Sequence, residues 1–285
     1  MKKTIWLVVV VVALGAGAEL YYNWLQGRKP PETVRQEVSL PTMPPRVSVE
    51  PAIRHPLETA PTETVPALND SDPAMQEALT GLFGKKRLAK YFYLDGVVRR
   101  IVATIDNLPR KTVAQRLMPV KPVPGMFAVG KDADEALVVA AKNAARYVPY
   151  VRIMQAVDAR KLVALYVELY PLFQQAYKEL GYPNGYFNDR LIEAIDDMLE
   201  APGIDGPIKL LQPKVLYEFA DPALEARSAG QKIVMRMGSE NAARVKEKLR
   251  EIRREVTLRA PKPPEPLPVS GVAPETARPQ PVPLK

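Results

Sequence analysis

The chain has 285 residues and a formal charge of +8, from 40 Lys plus Arg against 32 Asp plus Glu. It holds no Cys and a single His, His55, which excludes disulfides, thiolate metal sites and thiol catalysis and leaves no histidine cluster for a metal. Hydrophobic residues make up 47%, enough for a buried core. Ten of the 30 prolines lie between Pro30 and Pro73 and nine between Pro261 and Pro283. Their distribution predicts a terminal segment at 1–25, a proline-rich linker at 26–68, one domain at 69–258 and a proline-rich tail at 259–285.

Lys2 and Lys3 precede an apolar run from Ile5 that meets no charge before Glu19 and continues to Leu25. Two readings fit. A signal peptide has this basic start, apolar stretch and small-residue site at Ala16-Gly17-Ala18. A membrane anchor has this length, close to the ~20 residues of a bilayer helix. Tyr21, Tyr22 and Trp24 sit where an interfacial aromatic belt belongs, which favours the anchor. Either way the domain is expected outside the cytoplasm, and the paired lysines put the N-terminus inside. The linker reads as too polar and proline-rich to pack, with His55 exposed in it, and the tail reads as solvated.

The domain is expected to be mostly α, with one or two short strands. Asp72-Pro73 predicts a helix start, with Gly84 as its stop. Val97, Val98, Ile101, Val102 and Ile105 recur at helical spacing, ending near Pro109. Asp158 should cap a long helix running to Gly181, kinked by Pro171. Leu191, Ile192, Ile195, Met198 and Leu199 predict a helix stopped at Ala201-Pro202. Asp221-Pro222 predicts another, ending at Gly238, and Ser239 caps a last one with a narrow seam through Ala242, Val245, Leu249, Ile252 and Val256. That seam is too short for a sustained coiled coil, so packing on the domain is expected and the oligomeric state stays open. Gly125–Gly130 and Lys214–Phe219 read as short strands. Strands and helices do not alternate, so a parallel sheet is not expected.

Candidate functional residues fall in four places. The segment from Gly181 to Arg190 combines turn formers with Tyr186, Asn188, Asp189 and Arg190, able to face a ligand; alternatively Asn188 or Asp189 caps the helix. Asp189, Glu193, Asp196, Asp197 and Glu200 share a helix face, which a glycosidase could use for general acid and base or which could bind a hard cation, although solvent is the usual explanation for such a face and no cation-loop motif is present. Arg99 and Arg100 with Asp106 and Asn107 suggest an arginine-fork anion site, or an ion-paired helix end. Seven tyrosines from Tyr147 to Tyr186, Tyr177 among them, suit a groove for sugars or extended peptides, or a core with polar rims. The basic residues are scattered among acids, so no nucleic acid is expected as a partner. Phosphate-loop, dinucleotide, nucleophile-elbow and zinc-protease signatures are absent, so no cofactor is expected. Ser228 has no obvious base beyond a Ser-Lys pairing with Lys232, which rests on proximity alone.

Several of these segments together resemble one bacterial family. They are Arg99–Arg110, Arg146-Tyr-Val-Pro-Tyr150, Leu165–Tyr177, Gly181–Arg190, Ala220–Lys232 and Asn241–Lys246. They are similar to the uncharacterised proteobacterial domain of unknown function DUF3014. The resemblance implies an envelope protein with one N-terminal span. It brings no activity, cofactor or catalytic residue. The expectation is therefore a single-pass inner-membrane protein, spanning through Ile5 to Leu25, with its domain in the periplasm. Its expected role is a non-enzymatic module that binds a protein or cell-wall component. The alternative is a carboxylate-dependent enzyme acting on cell-wall glycan through groups such as Asp189 and Glu193.

Overall fold

The computed structural model describes residues 52–58 and 65–260. The expected span at Ile5–Leu25, most of the linker and the tail beyond Ala260 lie outside the described residues. Among the described residues no helix is long and apolar enough to cross a membrane.

The described residues are mostly helical, with ten α-helices and four short strands. The first helices are α1 (Asp72–Phe83), α2 (Lys85–Tyr91) and α3 (Val97–Asn107). Gly84, at φ 79°, ends α1 in a backbone conformation that L side chains resist, and its N–H closes on the Thr80 carbonyl. Asp72 does not cap α1 as its place before Pro73 suggests. It is the first helical residue, and its carboxylate accepts from the Gly96 and Val97 amides at 2.8 and 3.2 Å. One acidic side chain therefore caps a different helix, α3, where the helix dipole favours negative charge. The α3 stripe is real, and Val97, Val98 and Val102 are fully buried.

The next elements are β1 (Val129–Lys131), β2 (Leu137–Val139), α4 (Lys142–Ala156), α5 (Ala159–Glu168), α6 (Tyr170–Glu179) and α7 (Phe187–Leu199). The periodicity showed neither α2 nor α4, and α4 carries Pro149 in its interior. The single kinked helix expected after Asp158 is two helices. Asp158 caps α5 through the Arg160 and Lys161 amides. The chain breaks at Leu169, and Pro171 sits in the first turn of α6. There its missing N–H costs nothing, because a first-turn amide has no helical acceptor.

The chain ends with β3 (Leu210–Leu211), β4 (Glu218–Phe219), α8 (Pro222–Glu225), α9 (Ala229–Arg236) and α10 (Ser239–Thr257). The expected helix from Asp221 to Gly238 is interrupted, because Ser228 starts a new helix by accepting from the Gln231 amide. The strand readings catch β1 and β4 but not their antiparallel partners, β2 and β3. A bridge between Val138 and Lys209 joins the two hairpins.

Three apolar clusters hold the fold. In the largest, α3 packs on α6 and α7, with Phe173, Tyr177 and Phe187 beside the α3 valines. The second lies where α10 crosses α4 and α7, around Val151, Ile195, Val245 and Leu249. The third fills the hairpins around Ile208, Leu210, Phe219 and Met235. The first cluster brings the C-terminal end of α3, the end of α6 and the start of α7 together, and the candidate site forms there.

Candidate functional site

Asp106 lies in the last turn of α3 and is 5% exposed. A buried carboxylate needs several donors to offset its lost hydration, and Asp106 has three. Arg110 Nη2 donates to Oδ2 at 2.9 Å, Arg190 Nε to Oδ1 at 3.1 Å, and the Tyr182 hydroxyl to Oδ2 at 3.3 Å. Both arginines also donate to the Asp106 carbonyl. Arg190 is thereby spent, because its Nη1 pairs with Glu193 Oε1 at 2.8 Å. Arg110 also donates to the Tyr182 hydroxyl. The Asp106 hydrogen bond is the main reason that the Arg110 guanidinium holds its proton above its ordinary value.

These groups line a cavity of about 270 Å³, together with Tyr177, Gly185 and Asp189. The Tyr177 ring stacks on Tyr182 at 4.5 Å and 18°. Gly185 is what allows the turn to close on that stack: a Cβ there would meet Tyr177 Cε1 at 2.8 Å and Tyr182 Cβ at 2.9 Å. Tyr177 is only 7% exposed, and burial raises the pKa of its phenol. Its hydroxyl makes no hydrogen bond among the described residues and stays open to solvent; the buried side-chain atom without a partner among those residues is Gln231 Oε1.

One wall comes from a distant part of the chain. Residues 52–58 run as a strap, bent at Arg54 and His55, over the start of α7. Asp189 accepts from the Arg54 amide at 3.0 Å and from the His55 amide at 2.7 Å. Asn188 Nδ2 donates to the His55 carbonyl at 2.8 Å, and the Leu57 amide donates to the Tyr186 hydroxyl at 2.9 Å. Leu57 is buried in the main cluster. The strap thus packs where the sequence suggests solvated linker, because side chains of α7 and its approach satisfy its backbone groups. His55 is half-buried rather than exposed. Ala52 and Arg54 line the cavity.

Residues 97–253 match the family described as Protein of unknown function (DUF3014). The chain belongs to this family. The matched DUF3014 stretch contains every cavity residue except Ala52 and Arg54 of the strap. No curated protein and no solved structure matches the chain.

Seven of the sequence candidates in this DUF3014 chain meet at the cavity: Asp106, Tyr177, Tyr182, Tyr186, Asp189, Arg190 and Glu193. Asn188 lies fully buried beneath it and accepts from the Tyr166 hydroxyl at 3.1 Å. Neither Asn188 nor Asp189 caps α7, whose first amide donates instead to Gln174 Oε1. Arg99, Arg100, Asn107 and Tyr147 lie elsewhere. Arg99 forms an exposed ion pair with Glu179 at 2.9 Å, and Arg100 donates to the Asp95 and Arg116 carbonyls. Asn107 donates back to the Ala103 carbonyl of its own helix, and Tyr147 packs in the second apolar cluster.

The sequence marks Tyr182 only as one of seven tyrosines, Arg110 only as the end of the Arg99–Arg110 segment and Gly185 only as a turn former, and it does not mark Arg54. Arg110 was within reach, since it stands four residues after Asp106 on a helix end. Arg54 had no local signal. The acidic face is mostly engaged: Asp196 binds Arg253, and Asp197 accepts from Ser228 and Gln231. The Ser228–Lys232 pairing does not form. The Ser228 hydroxyl donates to Asp197 at 2.6 Å, while Lys232 pairs with Glu225 at 2.7 Å. Among the described residues no group of three or more His, Cys, Asp or Glu is placed to hold a metal ion.

Proposed function

We propose that this DUF3014 chain is a non-enzymatic envelope module, anchored in the inner membrane through Ile5 to Leu25, whose periplasmic domain binds a polar group of a protein or cell-wall component in the α3–α6–α7 cavity. The observation that carries the reading is a concave site lined by groups with hydrogen-bonding capacity to spare: the Tyr177 hydroxyl and Arg110 Nη1 have no partner among the described residues, and Arg54 stands beside them. The anchor rests on the apolar run, its basic start and its aromatic end.

The carboxylates argue for binding over catalysis. A general acid and base must be free to exchange protons with a substrate. Asp189 is taken up by two strap amides, Glu193 by Arg190, and Asp106 by three donors. The glycan-hydrolase alternative thus has its two named groups committed to the fold.

The test is crosslinking of the full-length chain in membranes, wild type beside Tyr177→Phe, followed by purification and mass spectrometry. A stoichiometric partner or wall fragment held by the wild type and lost from the variant is the expected result. Equal recovery from both would remove the cavity from the reading. Altered muropeptides after incubation of the full chain with sacculi would restore the enzyme alternative. Protection of the domain from protease in intact cells, and its loss after outer-membrane permeabilisation, checks the compartment.

A further inference from the structure

The cavity's hydrogen-bond inventory is lopsided. Each acid at the site already has a partner. Asp106 has Arg110, Arg190 and Tyr182; Asp189 has the strap amides; Glu193 has Arg190. The unspent groups are donors. Arg110 is half-exposed, and its Nη1 has no partner among the described residues, whereas Nε and Nη2 do. The Arg54 side chain is exposed, lines the cavity and is in no ion pair among the described residues. The Tyr177 hydroxyl is the third.

We infer that the cavity binds a free carboxylate at the end of a short peptide, held by Arg54, Arg110 and the Tyr177 hydroxyl. The inference rests on the binding reading above and names the chemistry of its ligand. Guanidinium forks match a planar carboxylate in both charge and shape, and a tyrosine hydroxyl adds a donor. A phosphate dianion fits less well, because Asp106, Asp189 and Glu193 stand around the same space and repel a second negative charge. The volume of about 270 Å³ suits a terminal residue or two rather than an oligosaccharide. The stacked Tyr177 and Tyr182 rings provide a flat apolar wall for a small side chain.

Such a carboxylate has two sources, a protein C-terminus built of L-residues or a wall stem peptide ending in D-residues. The site is also conditional. Arg54 reaches the cavity only through the strap, so ligand binding and strap docking reinforce one another by linkage.

The experiment is calorimetric titration of the full chain in detergent micelles with N-acetyl-L-alanyl-L-alanine, N-acetyl-D-alanyl-D-alanine, the C-terminal amide of each, and inorganic phosphate. At least one acid should bind, and its amide should bind about tenfold more weakly or worse. The preferred enantiomer tells the two sources apart. Tyr177→Phe should weaken the acid about fivefold or more without changing the melting temperature, because the lost hydroxyl has no partner in the fold. Arg110→Met should weaken it further. Three outcomes would overturn the carboxylate while leaving the cavity reading to the crosslinking result: amide binding equal to acid binding, phosphate binding more tightly than either acid, or neither acid binding at about 10 mM. Acid binding unchanged in Tyr177→Phe would remove the site itself.

Discussion

Arg190 reaches back 84 positions along the chain to Asp106, placing Nε 3.1 Å from Oδ1 and Nη2 on the Asp106 carbonyl. Both side chains are largely shielded, at 14% and 7% exposure. The contact ties the start of α7 to the end of α3 and sets the floor of the cavity. Arg190→Met should therefore destabilise the domain by about 3 kcal/mol, the lower end for removing one partner of a buried pair, because Arg110 and Tyr182 remain on Asp106. Urea unfolding of wild type and variant measures this. A change below about 0.5 kcal/mol, typical of a surface pair, would mean that the pair is not buried in solution.

The strap depends on Asp189 more than on any other side chain, since that carboxylate takes two of its amides. Asp189→Ala should release residues 54 and 55 while leaving the helical core intact. Hydrogen exchange at those two amides should speed up by about tenfold or more, with little change in exchange from α3 or α6. Uniform acceleration across the domain would show instead that Asp189 supports the whole fold.

Gly185 is constrained by space. A methyl group there would lie under 3 Å from both Tyr177 and Tyr182. Gly185→Ala should cost about 1–3 kcal/mol as an overpacking change and displace the stacked rings. The expected signature is a lower melting temperature together with a changed near-ultraviolet circular dichroism spectrum. A variant as stable as wild type would show that the turn relaxes freely.

Asp197 predicts a pH dependence. Burial is the main reason that its carboxyl is held above its ordinary range. The folded state therefore keeps this proton to higher pH than the unfolded chain does. Between the unfolded value and the raised folded one, the native state binds more protons, so this group makes stability fall as pH rises. Groups held low, such as Glu179 beside the Arg99 guanidinium, act in the opposite sense. The difference between wild type and Asp197→Asn isolates the effect. Melting temperatures from about pH 3.5 to pH 7 should show the wild type losing ground to the variant as pH rises. Parallel curves would contradict the raised value.

What could be read directly from the chain was whatever a helix or cap encodes within a few residues. The α3 stripe, the α10 seam, the Asp158 cap and the stop at Gly84 depend on 3.6-residue spacing, on a side chain two or three positions from its amide, or on glycine's tolerance of positive φ. The segment from Gly181 to Arg190 could be picked out too, because its turn formers and polar residues crowd a helix start. Distance along the chain is what hid the rest. Asp72 was a helix start by its neighbours, yet it caps α3, because packing brings the Gly96 amide to its carboxylate. Asn188 and Asp189 looked like ligand contacts or caps, yet they hold residues more than 130 positions away. A carboxylate or amide can serve any donor within about 3 Å, and local sequence carries no record of which one the fold delivers. The cavity exists only because apolar burial presses α3, α6 and α7 together. That burial is non-directional, so the polar pairings it creates are decided by the tertiary arrangement alone.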